Sequence, residues 1–344
     1  MANTSFTRTY TDFATATVDR YCQKKFEDNI SRASPFLSWM MDDGGKVGRG
    51  DKKYMSGDSG DRIMEPLMTE LNTTGKWYDG AEEFDTTQQN VGTAAFWDSK
   101  QLGITITITG KDKRLNSGKE KQIDLLKARS DQGMISMRTL LARAAIAGDG
   151  TGSSGKEIYG VPALCPTDRG TTVAYGEIAA NTSWWLCQRS RSGTTYGAVG
   201  DFATNFKKYG KQLYHDCQEG GSAPDLHLVS QEAEESYHDL LIPYERHESK
   251  TALDLGYENV LTFMKAAVLW DRYHPYAGLT TQNWYMLNSE FLRLRYCPEA
   301  NFSVLGFQRP IAGDYISTPV IWQGALTTNS RRMHGVLTGI TGIV

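Results

Sequence analysis

The sequence predicts an α+β protein, and three observations carry that reading. Ile104-Thr-Ile-Thr-Ile-Thr109 alternates strictly and is β-branched throughout, the pattern of a half-buried strand. Ile123, Leu126, Met134, Met137, Leu141 and Ala144 form an apolar stripe of helical period across 117–147. The remaining chain mixes helical and strand-like pieces without the regular βαβ alternation of a doubly wound sheet.

Bulk composition sets the limits. A chain of 344 residues has room for two compact units at roughly 150 residues each. With 40% hydrophobic and 22% charged residues it can bury an ordinary core. A formal net charge of −3 gives no global pull towards nucleic acid or membrane, so any charge argument is regional. The polar start has no signal-peptide character and no window approaches the ~18 apolar residues of a membrane span. Five scattered cysteines without C-x-x-C spacing imply neither a disulfide framework nor a zinc cage, and a reducing cytosolic origin fits.

Taken in order, residues 1–58 read as an arm. Val18, Cys22, Phe26 and Ile30 recur every fourth residue and give one amphipathic helix, followed by Phe36, Leu37, Trp39 and Met40 and then the run DDGGKVGRGDKK. A lone helix with one apolar face must lie on something else. Residues 59–109 read as a long ribbon, going out through Ile63, Leu67 and Leu71 and returning along Ile104–Thr109. Its tip is TTGKWYDGAEEFDTTQQNVGTAA. A two-stranded ribbon is marginal in water by itself and needs a neighbour. Residues 117–147 form a rod opened by the capping box Ser117/Glu120 and stopped at Gly148, with small Ser130 and Gly133 on the buried stripe letting a sheet or another backbone approach closely. Asp201 caps a helix through Phe202, Phe206, Tyr209 and Leu213, and Ser230 caps one through Ala233, Tyr237 and Leu241. Strands are expected at 226–229, 260–270, 284–287, 292–296, 320–322 and from Gly335.

The stretch AGDGTGSSGK at 147–156 matches the G-x-x-x-x-G-K of a phosphate-binding loop. Such a loop joins a strand to a helix and needs a hydroxyl after the lysine for magnesium. Here a helix precedes it, Glu157 follows Lys156, and IYGVPALC starts no helix. The stretch reads instead as a glycine-rich hinge leading out of the rod. An NTPase would bind nucleotide and lose it in Lys156→Ala; neither is expected.

Other candidates yield to plainer readings. His215-Asp216-Cys217, with Cys187 and His227, matches no zinc spacing, and Cys217 continues an apolar helix face. Asp58, Asp61 and Glu65 lack calcium-loop spacing and read as a solvated turn and strand. Arg49-Gly50-Asp51 lies in a glycine-rich turn and carries no adhesion reading. The six histidines show no pairing with a Ser or Cys nucleophile, so no catalysis, cofactor or metal is expected.

Charge is regional after all. From Asp61 to Lys100 eight acids face three bases, whereas from Lys111 to Arg143 nine bases face four acids. An acidic ribbon that needs support, next to a basic rod, suggests that the ribbon of one chain lies on the rod of the next.

The order of parts resembles the major capsid proteins of tailed double-stranded DNA bacteriophages, of the Hong Kong ninety-seven type. The resemblance spans nearly the whole chain. It rests on the arm, the long β excursion, ITITITGKDKRLNSGKEKQIDLLKARSD leading into a long helix, the GDGTG that ends it, and the segments LTFMKAAVLWDRYHP, YMLNSEFLRLRYCPEANF and RRMHGVLTG. It implies a tailed-phage capsid fold: N-terminal arm 1–58, E-loop hairpin 59–105, P-domain with spine helix 106–158, mixed α/β A-domain 159–290, and a return to the P-domain sheet at 291–344. It implies contacts between subunits through Lys76, Trp77, Tyr78, Glu82, Glu83 and Phe84 of the E-loop and Val18, Phe26, Ile30 and Trp39 of the arm. Some relatives cross-link an E-loop lysine, and Lys76 is the lysine near the tip.

The implied function is structural. Copies would assemble into hexamers and pentamers of an icosahedral shell in the host bacterial cytoplasm and end in the virion. Expected partners are portal protein, a separate scaffolding protein, a decoration protein in some relatives, and packaged double-stranded DNA; no membrane is involved. Because the arm starts almost at Met1, no N-terminal processing is expected. Lys121, Arg129 and Arg143 share one flank of the rod and are expected to line the interior, meeting DNA phosphates without reading bases. Two alternatives stand beside this: an encapsulin-like nanocompartment of the same fold, and a monomeric adhesion module.

Overall fold

The computed structural model describes residues 34–41, 62–115, 125–167, 174–179, 182–192, 195–241, 261–306, 308–310 and 313–343. The main helices are α1 (Pro35–Met41), α2 (Leu125–Ala147), α3 (Phe202–Asp216) and α4 (Gln231–Leu241). The main strands are β1 (Arg62–Met68), β2 (Gly92–Asp98), β3 (Lys100–Thr109), β4 (Gln188–Arg189), β5 (Gly200–Asp201), β6 (Leu226–Val229), β7 (Thr262–Phe263) and β8 (Ala266–Trp270), then β9 (Gln282–Leu287), β10 (Leu292–Tyr296), β11 (Ser303–Val304), β12 (Tyr315–Thr328) and β13 (Gly335–Thr341). Two compact units result. One holds Gln101–Leu141 and Cys297–Gln323; the other holds Ser34–Lys100, Ala142–Tyr296 and Gly324–Val344.

In the smaller unit β3 and β11 pair with the first part of β12. Only alternate residues of β3 turn inward, and Ile106 and Ile108 are the buried ones. Gly133 of α2 lets Ile106 approach: a Cβ there would stand 3.0 Å from Ile106 Cγ1. That close approach is the use the sequence assigned to small residues on the stripe. Met137 and Leu141 of α2 are buried, and Met134 is half-buried. The capping box Ser117/Glu120 and Ile123 lie outside the described residues.

The larger unit is a seven-stranded mixed sheet in the order β4-β13-β9-β6-β8-β7, with β5 also on β13. Helices α3 and α4 bury their apolar faces against it, with Phe206 and Trp284 ring centroids 4.6 Å apart and Tyr237, Phe263, Met286 and Leu337 in the same cluster. Both caps form as the sequence indicates. Asp201 accepts from Thr204 N at 3.0 Å and Ser230 Oγ from Ala233 N at 3.3 Å. Cys217 is buried in this core, a structural thiol whose pKa burial raises.

Four expectations need correction. The return strand of the ribbon is β2, paired with β1 from Arg62↔Asp98 to Met68↔Gly92, whereas Ile104–Thr109 belongs to β3 on β12. Residues 260–270 are not one strand: Met264 and Lys265 both take positive φ (51° and 72°) and fold β7 back on β8. Glu65 is not solvated but 3% exposed, because it takes the inward position between Ile63 and Leu67.

The fourth concerns the glycine-rich stretch, which is a closed excursion rather than a hinge. Asp149 and Tyr159 form a bridge and Gly160 N donates to Gly148 O at 2.9 Å, so the loop leaves and re-enters at one point. Gly150 at φ 82° sits against the Tyr159 ring, which a Cβ would strike. Ser153, Ser154 and Gly155 make a left-handed turn at φ 50°, 60° and 79°. The carboxylate of Glu157 lies over Gly152.

Candidate functional site: an intersubunit surface

The ribbon β1–β2 has two faces because side chains alternate along each strand. Ile63, Glu65, Leu67, Ala95 and Trp97 point inward and are buried; Met64 and Met68 point out and are 56% and 78% exposed. Two clamps on its own chain hold the ribbon base. On one, Arg295 donates to Glu65 Oε1 through Nε (3.0 Å) and Nη2 (2.6 Å), Arg293 Nη1 donates to Oε2 (3.3 Å), and Thr327 Oγ1 adds a longer contact at 3.4 Å. Both arginines stand on β10, paired with the last part of β12.

The other clamp is the turn Tyr175–Ile178. Phe96 N donates to Gly176 O at 3.0 Å, Arg62 pairs with Glu177 at 2.8 Å, and Trp97 meets Tyr175 edge-on at 5.6 Å. Tyr175 is itself fixed. Its hydroxyl donates to Leu326 O, its carbonyl accepts from Trp185 Nε1, and the Arg331 guanidinium lies 5.3 Å above its ring. Burial pushes the phenol pKa well up, so it stays a neutral donor. Arg331, buried, spends its Nε and Nη2 donors on Leu164 O and Ala163 O.

Beyond Met68 and Gly92 the ribbon changes character. Residues 69–91 form no strand, and their hydrogen bonds are local, as between Thr73 and Gln89 and between Asp85 and Thr87. The Thr87 bonds hold the Asp85 carboxyl below the usual range. Trp77 is fully exposed, and Leu71, Tyr78, Phe84 and Val91 of the same segment are exposed as well. Tyr78 and Phe84 pack edge to face at 4.9 Å, and Lys76 pairs with Glu82 at 3.0 Å. With Lys76 so engaged, Glu70, Asp79, Glu83 and Asp85 leave the tip acidic as well as apolar. Several large apolar side chains exposed together with charge mark a candidate contact surface.

The remaining expected residues fall in three places. Trp39 is half-buried on α1 and stacks on Phe36 at 5.9 Å; the helix is pinned where Ser34 Oγ donates to Asp271 Oδ2 at 2.5 Å. Arg129 is half-buried and Arg143 exposed on α2, and between them on the same flank stands Leu140, 47% exposed. Val18, Phe26, Ile30 and Lys121 lie outside the described residues. The sequence reading missed Glu65, the Tyr175 turn and Leu140. Glu65 was legible, since a carboxylate at an inward position of an alternating strand demands a partner. Among the described residues no group of three His, Cys, Asp or Glu could hold a metal ion, and no helix is long and apolar enough to cross a membrane.

No family model and no curated protein matches the sequence. Solved structures do match along almost the whole chain. The capsid of cyanophage A-1(L) is 11% identical over 94% of this chain and 97% of its own, with TM-score 0.61. The capsid of the native GTA particle is 12% identical over 94% and 96%, with TM-score 0.60. The SrpI encapsulin of Synechococcus elongatus PCC 7942 is 8% identical over 99% and 96%, with TM-score 0.58. With so little identity, what these structures share with the chain is architecture, and the chain has the fold of tailed-phage capsid shells, a fold that the encapsulin also carries.

Proposed function

We propose that this chain is the major capsid protein of a tailed bacteriophage, a non-enzymatic subunit that builds hexamers and pentamers around double-stranded DNA. The observation that carries the reading is the ribbon: its base is clamped to its own body, while its aromatic, acidic tip finds no shelter among the described residues. In this reading residues 1–58 are the arm, 59–105 the E-loop, 106–158 and 291–344 the P-domain with its spine helix, and 159–290 the A-domain. The tip (Lys76, Trp77, Tyr78, Glu82, Glu83, Phe84) lies on the rod of a neighbouring copy. Leu140 between Arg129 and Arg143 supports that docking, since an apolar residue flanked by bases suits Trp77 and Glu83 better than it suits phosphates alone. Scaffolding and portal proteins are the assembly partners, and the virion is the destination. Electron microscopy of the chain expressed with its scaffold tests this: closed shells are expected, and a monodisperse monomer by light scattering would overturn it.

The basic flank is shared between two tasks in this proposal. Changing Lys121, Arg129 and Arg143 to Gln is expected to weaken genome retention at low salt; unchanged retention together with weakened assembly would assign the flank to the ribbon alone. A second reading has its own support, the 99% coverage by the encapsulin structure. Purified particles holding protein cargo instead of DNA would favour it.

A further inference from the structure

We infer that Glu65 sets the angle at which the ribbon leaves the body and thereby selects one assembled lattice; this rests on the shell-forming role proposed above. The inward face of the ribbon is otherwise apolar, made of Ile63, Leu67, Ala95 and Trp97. A leucine or methionine in place of Glu65 would complete that face. Instead a buried carboxylate stands there, met by Arg295 on one oxygen and Arg293 on the other.

Stability does not account for the choice. Burying charges is costly, and replacing both partners of such a pair by well-packed apolar groups is often neutral or stabilising. Direction does account for it. The Tyr175 turn holds one side of the base; on the other, a fork of guanidiniums on two carboxylate oxygens accepts a narrower range of angles than apolar packing would. The lever makes this matter. Residues 69–91 run out and back, roughly a dozen each way, so the tip reaches at most roughly 40 Å from the base. At such a reach a rocking of about 10° displaces the tip by up to roughly 7 Å, more than a side chain's width, so docking would fail or find another register.

Two measurements test this on the full-length chain. Purified shells of Glu65→Met are expected to be of mixed size or open, and the unassembled chain to melt lower than wild type because Arg293 and Arg295 lose their partner; uniform wild-type shells would overturn the inference. Independently, spin labels at Trp77→Cys and Gln212→Cys, with Cys22 and Cys297 changed to Ser, report the ribbon angle in the unassembled chain. One narrow distance distribution is expected with Glu65 in place, and one at least twofold broader when Glu65→Met is added. Equal widths would overturn the inference whether or not wild type assembles, whereas a wild type that forms no shell refutes the proposed function instead. Should Glu65→Met fail to fold, Glu65→Gln keeps the shape and loses the charge, and an unchanged width there is equally fatal.

Discussion

Gly176 lies directly beneath Trp97: a Cβ on Gly176 would stand 2.9 Å from the indole Cζ2 and as near to Ala95. Its φ of 66° is also in the left-handed region. Gly176→Ala therefore meets both a collision and backbone strain at the ribbon base, and about 2–3 kcal/mol of destabilisation is expected. A shifted urea midpoint and faster hydrogen exchange confined to 62–68 and 92–98 would show it. An unshifted midpoint would mean that the turn gives way freely.

Acid is expected to destabilise the larger unit. Burial lowers the pKa of His227 and His274 to about 4 and of His334 to about 3, so the fold holds them neutral. A lowered histidine stabilises fully above its unfolded pKa of about 6.5 and loses that contribution as pH falls towards the folded value, because the unfolded chain takes up the protons first. Asp271 works the other way, since burial raises its pKa and its proton is retained longer in the fold. Melting temperature should fall steadily from pH 6.5 to 4, with His334→Gln flattening part of the slope. A flat profile would contradict the burial of these rings.

The loop after α2 separates strain from collision. Gly155 has φ 79° with nothing within 4 Å of a Cβ, so Gly155→Ala should cost only the left-handed penalty of roughly 1–2 kcal/mol. Gly150→Ala adds a clash with the Tyr159 ring and should cost more. Chemical denaturation of both variants gives the order, and an inverted order would mean that Tyr159 is free to swing away.

The tip should matter to assembly and not to the isolated fold. Trp77→Ser and Phe84→Ser remove exposed side chains, so the stability of the unassembled chain is expected to move by no more than about 0.5 kcal/mol. Shell yield by sedimentation should drop at least tenfold. Normal yield would show that the aromatic tip is not buried between copies.

Local physics was legible in the sequence and partnership was not. The caps at Asp201 and Ser230 and the buried stripe of α2 at Met137 and Leu141 depend on residues within a turn or two, and the structure places them as expected. Alternation identified Ile104–Thr109 as a strand, but period two does not name a partner, and the actual one lies far along the chain on β12. The fold-back at Met264-Lys265 carries none of the Gly or Asn that mark such turns. Glu65 was assigned to solvent on residue type alone, when its position between Ile63 and Leu67 placed it inside. The tip's exposed aromatics stood plainly in the sequence; the clamps that aim them needed the Tyr175 turn and β10 to be brought together.

Because Asp149 and Tyr159 are joined at its neck, the intervening excursion could shrink or grow without disturbing what comes before or after. Lengthening such a loop costs only ~0.6 kcal/mol per doubling. A foreign peptide inserted there should leave the form of the surrounding protein unchanged.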